Sequence, residues 1–503
     1  VQRRSFLTRS LGLAAAVSLP RVPDLGRLAG VSRQVGLPSF PSRLIESWIE
    51  AENARDGAEA WNLTSALPVR IEGYLDRTSA RLGEVVTFRV STDSPTYRIQ
   101  AFRMGWYGGR GARLVWESPM LPGGRQGPPV VTPGTNLVEA PWAPSHRLRL
   151  SSPGFLAGCY LFRLVGSDGG DQFVPLVIRR TDRDRGAFLY VIPVSTWQAY
   201  NEWGGYSLYF GRAGRGRDFD HRARVVSFDR PYDNGSGSGD FLGAEFPLVM
   251  RMEQLGLDVA YVTSVDVHAE PELLRRYRCV ISSSHDEYWS KPMRDGAEAA
   301  RDAGVNLAFF GANCAFRQIR LEDSPLGPLR REVCYKSAGE DPMTRTNPSL
   351  ATVNWRASPV SRPEAALVGV QYAGNPVRGD LVVTDPSAWI WDGAGVSRGQ
   401  RLRGVIGPEF DRVASSSPAN IEVIAHSPLD LRGSATAADT TYYSAPSGAG
   451  VFASGTIWWL GQLNPGVFDV PAEPTVYAAT MNILRQFGTG PAGVDHPSVP
   501  RRG

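Results

Sequence analysis

The chain has 503 residues, 42% hydrophobic and 21% charged, the balance of an ordinary globular protein with length for two to four domains. Its 54 Lys and Arg stand against 50 Asp and Glu, and no basic run follows the first residues, so the concentrated basic surface that nucleic-acid binding needs is absent. No later stretch is apolar for long enough to span a bilayer, which excludes a transmembrane helix after the first residues.

At the start, Arg3-Arg4-Ser5-Phe6-Leu7 leads into a weakly apolar run over 11–19, which predicts a twin-arginine export signal and linker over 1–35. The expected location is therefore periplasmic, cell-surface or secreted. Residues 36–67 read as a helical extension. Short apolar or alternating runs at 69–74, 85–90, 97–104, 112–116, 147–150, 158–165 and 173–178, separated by turn residues, predict an immunoglobulin-like β-sandwich over 68–180. Inside it Gly105-Trp106-Tyr107-Gly108-Gly109 reads as a tight loop, either a turn plug or a flap.

Over 181–488 the rhythm changes. Apolar strands at 188–194, 259–263, 279–283 and 305–310 alternate with helical patterns at 241–255, 271–276 and 292–303. That alternation predicts an α/β domain with a mostly parallel sheet covered on both faces. Residues 320–400, rich in Pro and Gly, read as β-rich insertions, and apolar runs return at 402–406, 421–425, 450–453 and 456–460. A helix over 475–487 closes the domain, and 489–503 read as a flexible tail. The glycine-serine run 235–239 is either a hinge or a loop that wraps a ligand.

The four cysteines, Cys159, Cys279, Cys314 and Cys334, lack zinc-cluster spacing and are too few for a disulfide scaffold. Pairing of Cys314 with Cys334 stays open. Three loops carry the candidate chemistry, because each follows an expected central strand and ligands gather beyond the carboxyl ends of such strands. They are Thr196 to Asn201 continuing through Tyr209, His285-Asp286-Glu287-Tyr288-Trp289, and Gly311-Ala312-Asn313-Cys314. His285 and Glu287, two apart, share a face in an extended segment; a surface turn or a helix start capped by Glu287 would use the same residues.

The stretches IEGYLDRTSARLGEVVTFRV, FRMGWYGGRGARLV, TWQAYNEWGGYSLY, SSSHDEYW, FFGANCAFRQI and VIGPEFDR, in this order over about 69–485, resemble the N,N-dimethylformamidase large (beta) subunit-like family, through its C-terminal domain. The resemblance implies a mononuclear iron hydrolase of a small amide, with ferric iron held by Tyr200, Tyr209 and Glu287. Hard oxygen ligands of this kind suit a hard ion. Tyr206 and Tyr232 are rivals for the second tyrosine. The resemblance further implies that His285 shuttles the water proton and that Asn313 and Glu409 line the catalytic pocket. It implies a separate small subunit as partner; a homo-oligomer also stays open. The apparent export signal and the shorter region ahead of the sandwich depart from the family pattern.

Two other readings use the same residues. In one, the chain is a non-catalytic cell-surface or glycan-binding protein whose sandwich and 13 tryptophans carry the function. In the other, the α/β domain resembles class I glutamine amidotransferases and Cys314 is a nucleophile, although Gly311-Ala312-Asn313-Cys314-Ala315 lacks their Gly-x-Cys-x-Gly elbow.

Overall fold

Alternation of apolar side chains along single strands builds the centre of the molecule. In the computed structural model, which describes residues 38–63, 71–151, 154–180, 185–213, 216–463 and 473–499, a seven-stranded sheet lies at the middle. Its strands are Gly186–Ile192 (β1), Val259–Thr263 (β2), Tyr277–Ser284 (β3), Asn306–Gly311 (β4), Glu422–Leu431 (β5), Ser434–Ser444 (β6) and Gly450–Ala453 (β7). They lie in the order β2-β1-β3-β4-β7-β6-β5. The first five run parallel, and β6 and β5 close the edge antiparallel.

Successive side chains of β1 point to opposite faces, as strand geometry requires. Phe188, Tyr190 and Ile192 enter one core with residues of helices Phe246–Gln254 (α2) and Pro474–Thr489 (α4), among them Leu248, Val249, Ile483 and Leu484. Leu189 and Val191 enter the other with Met293, Ala297 and Ala300 of helix Lys291–Asp302 (α3). The spacing of those three along α3 is that of one helical face. A further short helix, Val194–Tyr200 (α1), follows β1 directly.

Ahead of this sheet, strands Ile71–Leu75, Val85–Thr92 and His146–Arg149 form a three-stranded sheet. It packs through Ile71, Val86, Phe88 and Val90 on Ile99, Phe162, Val174 and Leu176 of a six-stranded neighbour. The opposite face of that neighbour, with Phe102, Leu161, Phe173 and Val177, packs into the central core. Both faces are covered, which explains why 158–165 and 173–178 read as nearly continuous apolar runs.

A buried polar knot joins the two parts. Arg103, fully buried, donates to both carboxylate oxygens of Glu253 on α2 at 2.9 and 2.8 Å. Asn53 of helix Ser47–Asn53 also reaches Glu253, and its side-chain oxygen accepts from Trp106 N at 2.7 Å. Tyr107, at φ 46°, is buried with its hydroxyl on Glu52 at 2.9 Å. The loop 105–109 is therefore a plug. The run 235–239 is packed rather than open, since a Cβ on Gly237 or Gly239 would meet Phe173 O at 2.2 Å or the Trp197 ring at 2.6 Å.

The expectation of a mostly parallel, glutamine-amidotransferase-like α/β domain is corrected. Strand accounts for 36% and helix for 25% of the described residues, and parallel pairing among them is limited to six strand pairs. The remaining pairs are antiparallel, many in two-stranded ribbons such as Gln371–Gly374 with Phe410–Arg412 and Gly379–Val382 with Arg401–Ile406. The architecture is a strand-rich mixture, because a short apolar run states burial and says nothing of strand direction.

All four cysteines are free and buried. Beyond α4, Ala492 is buried and the His496 ring stacks on Trp389 at 4.7 Å, so the segment expected as a flexible tail is packed through His496. The expected export signal lies outside the described residues, and no described helix is long and apolar enough to cross a membrane.

Candidate active site

The strand order puts its topological switch point between β1 and β3. From β1 the chain passes to β2 on one side, and β3 lies on the other, which is where ligands gather in such sheets. Three loops leave the carboxyl ends of β1, β3 and β4 at this point, carrying Tyr200, His285 with Glu287, and Asn313. Backbone and side-chain bonds tie them together. Thr196 of α1 accepts from Glu287 N at 3.1 Å, and Ser195 donates to Tyr288 O at 2.9 Å. Ala315 N and Arg317 N donate to Asp286 O and Glu287 O, each at 2.9 Å. The turns are tight: Ser284, Asn313 and Ala315 all have left-handed φ, at 51°, 58° and 52°.

Glu287 is the hub. It is 1% exposed, and the Tyr200 hydroxyl donates to its Oε2 at 2.7 Å. Tyr209 donates to its Oε1 at 2.8 Å, and the two phenol oxygens lie 2.9 Å apart above rings stacked at 4.6 Å. His285 Nε2 stands 3.4 Å from Glu287 Oε2 and 3.5 Å from Glu409 Oε2, with Asn313 Nδ2 at 3.3 Å. The structure thus brings all six candidates together. Of the three candidates for the second tyrosine, Tyr209 is the one whose phenol reaches Tyr200 and Glu287, while Tyr232 lies against Trp197.

Burial opposes charge at every acid here. At Glu287 it is outweighed, first by His285 and then by Lys336 and Arg317, and the carboxyl is held down at about 2. Burial alone would depress His285, but Glu409 and Glu287 lift it to about 9. Burial and then Glu287 push both phenols well above their ordinary range, so Tyr200 and Tyr209 keep their protons in this arrangement. Burial also raises Glu409, against the pull of His285.

Several neighbours were not singled out from sequence. Arg317 Nε lies 3.4 Å from Glu287 Oε1. Lys336 Nζ stands 3.2 Å from the centre of the Tyr209 ring and donates to Tyr288 at 2.7 Å. Asp411 Oδ1 accepts from Asn313 N at 2.9 Å, and Asn375 donates to Glu409 Oε1 at 2.8 Å. Arg317 and Asp411 lie within the runs FFGANCAFRQI and VIGPEFDR, which was a usable signal. Lys336 and Asn375, single polar residues between turns, offered none.

Among the described residues no group of three His, Cys, Asp or Glu is arranged to hold a metal. Any ion here would need the phenols. Their donor chemistry fits a hard cation: three oxygens, the two phenols and Glu287 Oε2, separated by 2.7–2.9 Å match the spacing of adjacent oxygen ligands on an ion at about 2.0–2.1 Å from each. Nearby, Asn313 Oδ1 is buried with no hydrogen-bond partner, and Glu409 Oε2 faces His285 Nε2 at 3.5 Å. Cys314, by contrast, contacts Ser282 and Ala312 O in the interior, and burial pushes its thiol well above the ordinary range, which suits no nucleophile.

The family model for the N,N-dimethylformamidase beta subunit-like C-terminal region matches residues 98–472. The N,N-dimethylformamidase beta subunit of Alcaligenes sp is 27% identical over 322 residues, 56% of this chain and 42% of the relative. That of Paracoccus aminophilus is 26% identical over 327 residues, with the same coverage. The matched part of the chain thus spans less than half the length of these relatives. A solved cycloisomaltooligosaccharide glucanotransferase of Paenibacillus sp matches 38% of this chain and 27% of its own at 12% identity, with a TM-score of 0.15, too low to bear on fold or function.

Proposed function

Since the chain belongs to the N,N-dimethylformamidase beta subunit-like family through its C-terminal region, we propose that it hydrolyses the C–N bond of a small amide, with ferric iron held by Tyr200, Tyr209 and Glu287. The observation that supports this most is the meeting of two phenol oxygens and one carboxylate within 2.9 Å, with His285 3.4 Å from the same carboxylate. Bound iron would supply Lewis-acid polarisation of the carbonyl and a water of lowered pKa.

The protein's own groups do the rest. His285, with 18% of its side chain exposed, meets the entering water. In its neutral form, reached above about 9 in this arrangement and at lower pH if a cation drew on the Glu287 charge that lifts it, it takes the water proton at Nε2 and returns it to the departing amine. Glu409, 3.5 Å away, steadies the imidazolium. Asn313 Nδ2 serves as donor to the carbonyl oxygen as negative charge develops there, a role typically worth about 3 kcal/mol. The two relatives are named as beta subunits, and a companion chain belongs to this reading.

The test is iron per chain together with turnover of a panel of small amides on the same preparation. Stoichiometric iron and release of amine are expected. Protein that takes up no iron, or that is fully loaded and cleaves none of the amides, would sink the proposal.

A further inference from the structure

Between Tyr200 and Tyr209 the chain reverses through Gly204-Gly205, at φ 79° and 93°. Glycines permit this turn but cannot hold it, since they offer no side chain. The end of α1 also leaves carbonyls without helical partners. One side chain answers both needs. Arg230, 1% exposed, donates from Nη1 to Trp203 O at 3.0 Å and Tyr206 O at 2.9 Å, so that one nitrogen spans the glycine turn. Its Nη2 donates to Asn201 O at 2.9 Å and its Nε to Gln198 Oε1 at 3.2 Å. Among the described residues all four of these bonds go to uncharged acceptors in 198–206. Burial draws Arg230 down to about 10, with Asp233 and Tyr232 opposing, so it stays charged at neutral pH.

The same two segments are strapped in the other direction. Asn201 Nδ2 donates to Pro231 O at 2.8 Å, and its Oδ1 accepts from Asp233 N at 3.1 Å. Glu202 N donates to Asp233 Oδ1 at 3.0 Å. The loop then closes on α1 through Leu208 N to Ala199 O at 2.9 Å, which sets Tyr209 beside Tyr200.

We propose that Arg230 is a positioning residue that sets the separation of the Tyr200 and Tyr209 phenols by bridging the carbonyls on both sides of the Gly204-Gly205 turn. The planar fork is what the task requires. Lysine keeps the charge but offers one nitrogen where three are used. The clamp stands on geometry alone; its consequence for iron rests on the reading proposed above.

The test uses the full chain with Arg230→Met and Arg230→Lys, each first checked by circular dichroism and unfolding midpoint. In metal-free protein, ultraviolet irradiation followed by peptide mass spectrometry reads the Tyr200–Tyr209 dityrosine link, which forms only when the rings touch. Titration with ferric nitrilotriacetate then reads iron affinity. Folded variants that lose the link and bind iron about 10–100-fold more weakly are expected. If wild type forms the link and takes up no iron while the variants lose the link, Arg230 stands and the iron reading fails. Wild-type link yield in folded variants overturns the inference. Loss of the whole fold in both variants also overturns it, since Arg230 would then serve general stability.

Discussion

Glu287 keeps its charge in a place where burial alone would neutralise it, and each group that holds it there belongs to the same cluster. Glu287→Gln removes that charge with little change of shape. We expect iron uptake and turnover to fall together, because a neutral amide is a poor partner for a trivalent cation; unchanged iron content would contradict the ligand assignment. His285→Ala should retain iron and lose about 10²–10⁴-fold in rate. Iron lost in step with activity would make His285 a ligand instead. A third residue sets a pH dependence. Burial lifts Asp411 to about 8, even though Asn313 N donates to it. Its folded pKa exceeds the unfolded value of about 3.9, so the folded chain binds the extra proton in between. The contribution of Asp411 to stability is therefore full below pH ~4, declines as pH rises and is lost above about 8. Asp411→Asn, which keeps an acceptor for Asn313 N and cannot ionise, should flatten that fall. Unfolding midpoints measured from acid to alkaline pH check this; parallel profiles for wild type and variant would refute it.

The elements around the site divide into what composition reveals and what it hides. Apolar runs that end in His285-Asp286-Glu287 and in Asn313 mark strands with polar loops at their ends, so the meeting of three loops was legible before any coordinates. The choice among Tyr206, Tyr209 and Tyr232 was not, because it depends on a glycine turn and a guanidinium donated from residue 230. Glu409 and Asn375 come from separate segments brought together by the ribbon of Gln371–Gly374 with Phe410–Arg412. No spacing rule connects such residues. One glycine tests how closely the elements must approach. Gly311 ends β4 opposite Ser284 of β3, and a Cβ there would stand 2.1 Å from Ser284 O. Gly311→Ala should force the two strand ends apart, destabilise by about 3 kcal/mol or more, and carry Asn313 away from His285. A variant with an unaltered unfolding midpoint would show that the strand ends yield freely.

At the scale of the molecule, the positions of many short strands were readable, whereas strand direction, and with it the fold class, was not. The antiparallel closing edge and the small ribbons follow from long-range pairing, which local sequence does not encode. What unites the parts is the Arg103–Glu253 pair, both partners fully buried. Removing one leaves the other charged and unpaired in the interior, so Arg103→Met or Glu253→Ala should each cost about 3–5 kcal/mol in denaturant unfolding. A loss on the scale of an exposed pair, about 0–1 kcal/mol, would mean that the interface does not depend on it.

The order of the central sheet carries a consequence for biosynthesis. β4 has β3 on one side and β7 on the other, yet β7 is translated long after β4. A nascent chain that has reached Gly311 but not Gly450 presents an open parallel edge, ready to pair with any extended segment nearby. Hydrophobic residues 307–310 lie along that edge. A ribosome that stops between these two points therefore releases an aggregation-prone template instead of a smaller working protein, and β4 has to be shielded until Gly450–Ala453 arrives.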